Sequence, residues 1–250
     1  MHHIVLLSPK GGTGKTTLAA NLGRLLAERY RVMMVDADPQ NSLGLLFGMP
    51  VGEGQGLGVA DFGHQALVSM LRAQKAEVPY IPFGRPSASA MAQIENQARL
   101  DPSWLEKRLR ELCPGGYDVA VIDTPAGRSV FTTQALSLAT TALVVLEACA
   151  LSYATLPDVE ALLEDALKRP SFRGVGYVVN RLDARRALSR DVRSALLQSV
   201  GSQFIDVALV DDEHVREATA SRATCVALSP HAQFSSAIRQ LANHLIEVIR

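Results

Sequence analysis

The chain has 250 residues, 48% of them apolar and 20% charged, with 25 lysines and arginines against 25 aspartates and glutamates. This composition excludes a disordered or fibrous chain and fits one α/β sheet with a sizeable core, so a single domain over residues 1–250 is expected. At zero net charge no global field draws the chain to nucleic acid or an anionic membrane, and any such attraction needs a local patch.

Met1-His2-His3 leads straight into an apolar run without the charged lead and long apolar stretch of a secretory signal. No later run has the length to cross a bilayer, so a soluble cytoplasmic protein is expected. Cys113, Cys149 and Cys225 are odd in number and widely spaced, which gives neither a disulfide framework nor a zinc site. Thiols in a reduced interior suit them best.

In chain order, Val- and Ile-rich runs at 4–7, 32–35, 78–81, 119–122, 143–146, 175–179 and 204–209 read as strands. Most are separated by helical spacing, at 15–30, 61–73, 102–113, 132–139, 157–168, 189–200 and 233–249. Strands apolar on both faces need helices on both faces, which predicts a three-layer, doubly wound, mainly parallel α/β sheet. The glycine-dense stretch 48–58 and the segment 82–90 read as loops around the mouth of a site.

Between the first strand and the first helix stands Ser8–Thr17, SPKGGTGKTT. Gly11, Gly12 and Gly14 let the backbone curl around Thr13 with its N–H groups turned inward, and the following helix adds its positive end, a cradle for a triphosphate. Lys15 supplies a point charge to the β- and γ-phosphates, the Thr16 hydroxyl suits Mg²⁺, and Thr17 can donate to the α-phosphate. A tight strand-to-helix turn needs no such string.

Asp36 and Asp38 end the second strand in VMMVDADPQ, and Asp123 ends the fourth in VAVIDTPAG, ahead of Gly127. These are the carboxyl ends where open α/β sheets bind ligands, although strand-end carboxylates can also be merely solvated. Asn180 and Arg181 close VVNRLD. Asn180 and Asp183 carry the N-x-x-D spacing by which GTPases read guanine, so spacing alone leaves ATP and GTP both open.

Pro9 replaces the first glycine of the ordinary phosphate loop, and with Lys10 the string resembles the deviant Walker A motif of the ParA/MinD ATPases. The resemblance runs over nearly the whole chain. It implies a P-loop ATPase that binds ATP and Mg²⁺, hydrolyses ATP slowly to ADP and phosphate, and forms a homodimer around the nucleotide. Lys10 would reach across that dimer to the partner's nucleotide, beside Lys15 as a catalytic cation. Asp38 would position the attacking water, and Asp36, Asp123 and Thr16 would surround the metal. Gly127 would sense the γ-phosphate; Asn180, Arg181 and Asp212 would line the adenine, although Val210 stands where the family has proline.

Within that family, YIPFG at 80–84 and the segment 209–228 resemble the BcsQ accessory proteins of bacterial cellulose-synthase operons. This implies a partner among cellulose synthase or secretion components, with recruitment to the inner membrane or cell pole. The alternative is a ParA-type partition ATPase, for which Arg181, Arg185, Arg186, Arg190 and Arg193 could form a DNA-contacting patch or a solvated face. A ligase on the same fold is a third reading. A reductase like the nitrogenase iron protein needs a cysteine after the Asp123 turn, where this chain has none. The stripe Ile238, Leu241, Leu245 and Ile249 reads as core, not membrane contact.

Overall fold

The computed structural model describes residues 1–49, 54–59, 78–112 and 116–249. The helix expected at 61–73 and Cys113 lie outside the described residues. The strands β1 (His2–Leu7), β2 (Val32–Asp36), β3 (Tyr80–Ile81), β4 (Val119–Asp123), β5 (Thr141–Glu147) and β6 (Gly174–Asn180) form one sheet in the order β3-β2-β4-β1-β5-β6. Every pairing between them is parallel.

The alternation of strand side chains splits the core in two. Ile4, Leu6, Met34 and Val121 join one cluster with α1 (Lys15–Leu26) and the C-terminal helix Gln233–Ile249. Val5, Leu7, Met33 and Ile122 join the other, under the helices Trp104–Leu112, Val130–Leu138, Leu156–Leu167 and Ala187–Val200. This is the three-layer arrangement that strands apolar on both faces require.

The final helix is core, as its stripe predicts. Ile238, Leu241 and Leu245 are buried, each contributing about 1.5–3 kcal/mol relative to exposure. Arg173 donates to the carbonyls of Val248 and Ile249 at its end. Among the described residues no helix is long and apolar enough to cross a membrane.

Three expectations are corrected. The run 204–209 is not a strand, for Val207 N–H turns back to the Ile205 carbonyl and Leu209 N–H to that of Val207. That curl leaves isolated bridges, Tyr177 to Phe204 and Leu182 to Val210, beside β6. The segment 82–90 ends in a helix start, where Ser87 Oγ accepts from Ala90 N–H and caps Ala88–Leu100. Only Ile94 and Ala98 of that helix are buried, too thin a stripe for periodicity to show. The first helix stops at Leu26, short of the expected Tyr30.

Candidate nucleotide site

Parallel pairing brings the functional strand ends to one edge. Asp36 lies in register with Asp123, Leu6 with Asp123, and Glu147 with Asn180. The loop from Ser8 to Gly14 leaves β1 there, with Gly12 and Gly14 at φ +82° and +84°. Gly11 and Gly12 are exposed, Thr16 and Thr17 are half-buried, and Lys15 is buried. A side chain at Gly14 would strike the Asn180 amide, which donates instead to the Thr13 carbonyl across 2.8 Å. Asn180 thereby ties β6 to the loop.

Lys15 Nζ donates to Asp123 Oδ1 at 2.8 Å and to the Thr124 carbonyl. Burial pushes the Asp123 carboxyl above the usual carboxylate range, against the pull of Lys15 and Thr16. Its Oδ2 is buried with no hydrogen-bond partner, as is Thr13 Oγ1. The carboxylate thus meets the Thr16 side chain and keeps one oxygen unpartnered, a hard oxygen donor set that fits Mg²⁺, an ion that takes few protein ligands.

Asp36 braces the neighbouring loop. Its two oxygens accept from the backbone N–H groups of Asp38, at 3.0 Å, and Leu43, at 2.8 Å. Burial, and then the charge of Asp123, push its carboxyl well above the ordinary range despite these bonds. Asp38 itself is half-buried, with Oδ1 accepting from Gln40 N–H. Gly127, at φ +69°, donates its N–H to the Ser8 carbonyl at 2.7 Å, so the turn after Asp123 is latched to the start of the phosphate loop.

On the far side, a cleft of about 40 Å³ lies among Gly14, Thr17, Asn180, Arg181, Val210 and Asp212. Asp212 contributes little free acceptor capacity there. It caps the helix Glu213–Ala220 by accepting from His214 N–H, and it also accepts from Phe234 N–H and faces His214 Nδ1 at 2.8 Å. Asp183 lies outside this lining, with its oxygens turned to Arg185 and Arg186.

The arginine cluster is largely answered from within the chain. Arg190 donates to the Ala184 carbonyl, Arg193 pairs with Asp206, and Arg181 stands 3.8 Å from Glu147. Glu147, which the sequence reading passed over, and Cys149, expected there only as an interior thiol but half-buried, sit on Lys10. Lys10 Nζ is 2.8 Å from Glu147 Oε2 and 3.0 Å from Cys149 Sγ. The signal for Glu147 was available, because it directly follows the apolar run 143–146 at the same edge as Asp36 and Asp123.

A family model described as cellulose biosynthesis protein BcsQ matches residues 1–246. The chain belongs to the BcsQ family. This BcsQ-family chain is also similar to the chromosome-partitioning ATPase Soj of Thermus thermophilus, 28% identical over 98% of the chain and 96% of Soj. Among solved structures it resembles the septum site-determining protein MinD of Pyrococcus horikoshii complexed with Mg-ADP, with a TM-score of 0.72 and 25% identity over 98% of the chain and 95% of that protein. A chain of the MinC:MinD cell division protein complex of Aquifex aeolicus gives 0.73 and 24%, covering 99% and 96%. The chain is thus a relative of the MinD/ParA ATPases as well, and its sheet has their P-loop fold.

Proposed function

We propose that this BcsQ-family chain is a dimerising ATPase that binds ATP and Mg²⁺ at the carboxyl edge of its sheet, hydrolyses ATP to ADP and phosphate, and controls where a partner machinery sits. The observation that carries the reading is the convergence of Lys15, Thr16 and Asp123 on one buried point beneath the glycine loop. The MinD relative complexed with Mg-ADP and the ATPase Soj support the choice of nucleotide and metal.

In this reading the loop N–H groups of Gly11 to Lys15 and the N-terminus of α1 bind the phosphates, with Thr17 beside them. Lys15 exchanges its Asp123 contact for the β- and γ-phosphates. Thr16 and the free oxygen of Asp123 hold Mg²⁺, which neutralises phosphate charge when bound. Asp38, held in place through Asp36, orients the attacking water. Gly127 exchanges its Ser8 contact for the γ-phosphate, and this exchange couples hydrolysis to movement of the following turn. Asn180 and Arg181 flank the base, and a base entering the narrow cleft displaces the half-exposed Arg181 side chain. The occupied carboxylate of Asp183 favours adenine over guanine.

The dimer would sandwich two nucleotides, each meeting Lys10 of the other copy, and expose a surface for a protein partner until hydrolysis. The family description makes a component of cellulose synthesis or secretion the first candidate. The test is light scattering of Asp38→Ala with and without ATP and Mg²⁺, alongside calorimetry. A nucleotide-dependent dimer is expected; a variant that stays monomeric counts against the mechanism. Binding of neither ATP nor GTP ends the reading altogether. The full-length similarity to Soj supports a second reading, ATP-dependent non-specific DNA binding through Arg185, Arg186 and Arg190. A salt-sensitive DNA shift abolished by Arg186→Ala and Arg190→Ala together would favour it.

A further inference from the structure

Lys10 is held from two sides by its own chain. Glu147, the last residue of β5, takes the ammonium at 2.8 Å, and Cys149, two residues on, meets it at 3.0 Å. These side chains are neither free in solvent nor sealed away, with Lys10 25% and Glu147 29% exposed. Glu147 turns its other oxygen to Arg181 Nη1, at 3.8 Å. One carboxylate thus touches a cation of the phosphate loop and a cation beside the base cleft. Its neighbour in register is Asn180, whose amide holds the Thr13 carbonyl, so strand pairing fixes the carboxylate's position.

We infer that Glu147 is a positioning residue that holds Lys10 folded back on its own subunit and releases it only when a second copy presents its nucleotide. The inference rests on the proposed ATP dimer and goes beyond it, because it assigns a competitor for the lysine that the dimer needs. A lysine bound to an internal carboxylate cannot reach across an interface, and a triphosphate with several negative charges outbids one carboxylate only when it arrives at close range. Burial pulls the Lys10 ammonium down, but the bonds to Cys149 and Glu147 outweigh it and hold its pKa above the ordinary lysine value. The half-exposed setting keeps the hold weak enough to break, in the range of other solvent-touched ion pairs.

The test compares the full-length wild-type chain with Glu147→Gln and Glu147→Asp. Light scattering over an ATP-Mg²⁺ titration should show Glu147→Gln forming the dimer at roughly two- to five-fold lower ATP, the fold-change that an exposed-to-intermediate ion pair supports. Glu147→Asp should lie nearer to wild type. A second readout examines Lys10 in the nucleotide-free chain: after reductive ¹³C-methylation, with the signal assigned through Lys10→Arg, its pKa should fall in Glu147→Gln, and a smaller fall is expected in Cys149→Ser. A merely structural role for Glu147 would lower thermal stability without moving this titration. An unmoved Lys10 titration in a folded Glu147→Gln chain overturns the inference. So does a wild-type ATP dimer matched by an unchanged or weakened one in Glu147→Gln. If wild type itself fails to dimerise with ATP, the ATPase reading fails instead, and the Lys10 titration still judges the contact.

Discussion

Lys15 and Asp123 form an ion pair at 2.8 Å inside the protein, the lysine 6% exposed and the carboxylate fully buried. Asp36 lies in register with Asp123 on the next strand and is equally buried, so two carboxylates share the neighbourhood of one ammonium. A site built this way is short of positive charge at its centre, which is the condition for a cation-bearing phosphate to be welcome there.

Replacing Lys15 by Met should therefore do two separate things. It should abolish ATP binding by calorimetry, because the point charge of the phosphate loop is gone. It should also destabilise the nucleotide-free chain by about 3–5 kcal/mol in urea unfolding near pH 8, the usual cost of stranding one partner of a buried pair. The folded-state pKa of Asp123 is raised, so the group costs nothing below its unfolded value, costs progressively more as pH rises from there to the folded value, and holds that cost above it. Without Lys15 the folded value climbs further, and the destabilisation should be smaller at pH 5 than at pH 8. Equal losses at both would contradict this account of the pair.

Asp38→Asn should separate binding from turnover. The side chain touches no buried cation and spends one oxygen on Gln40 N–H, which an amide oxygen can also accept. ATP affinity is expected to stay within a few-fold of wild type while phosphate release falls about 10²–10⁴-fold, the range for loss of a group that orients or deprotonates a nucleophile. A phosphate-release assay showing near-normal turnover would remove Asp38 from the reaction.

The phosphate loop, the strand ends and the layer order were all legible because each rests on local chemistry: glycines that permit positive φ, carboxylates closing apolar runs, and strands apolar on both faces. What stayed hidden depends on pairs far apart in sequence. Nothing near Lys10 announces Glu147 and Cys149, more than a hundred positions away, since only the pairing of β5 beside β1 brings them together. Asp212 lies in the segment expected to meet the base, yet its oxygens cap one helix and hold the start of another. The Ala88–Leu100 helix escaped notice because most of it faces solvent and leaves no stripe to read.

Gly14→Ala tests how tightly the loop is packed against β6. Its φ of +84° lies where an L-residue is strained by roughly 1–2 kcal/mol, and the new methyl would also push on the Asn180 amide that holds Thr13. A chain that stays folded but binds ATP at least ten-fold more weakly is expected. Asn180→Ala should relieve the clash yet lose the loop's tie, so the double variant should not recover wild-type affinity in calorimetry. Full recovery would mean that Asn180 matters only as an obstacle.

His2 gives a pH signature at the opposite edge of the sheet. Its ring is buried and its Nε2 lies 3.0 Å from Thr141 Oγ1, on strand β5. Burial, reinforced by Arg173, lowers its pKa from 6.5 to about 4. A histidine whose folded pKa is depressed stays neutral in the folded chain while the unfolded chain takes up a proton below 6.5. Its contribution is therefore fully present above 6.5 and is lost as pH falls from 6.5 to about 4. About 3 kcal/mol should disappear over that interval through this ring, at about 1.4 kcal/mol per pH unit. His2→Gln offers Thr141 a hydrogen bond without a titrating group, so the difference in urea-unfolding free energy between the two chains should shrink in wild type's disfavour as the pH drops. Parallel curves for the two chains across this window would show that His2 is protonated in the folded protein and that its burial carries no such cost.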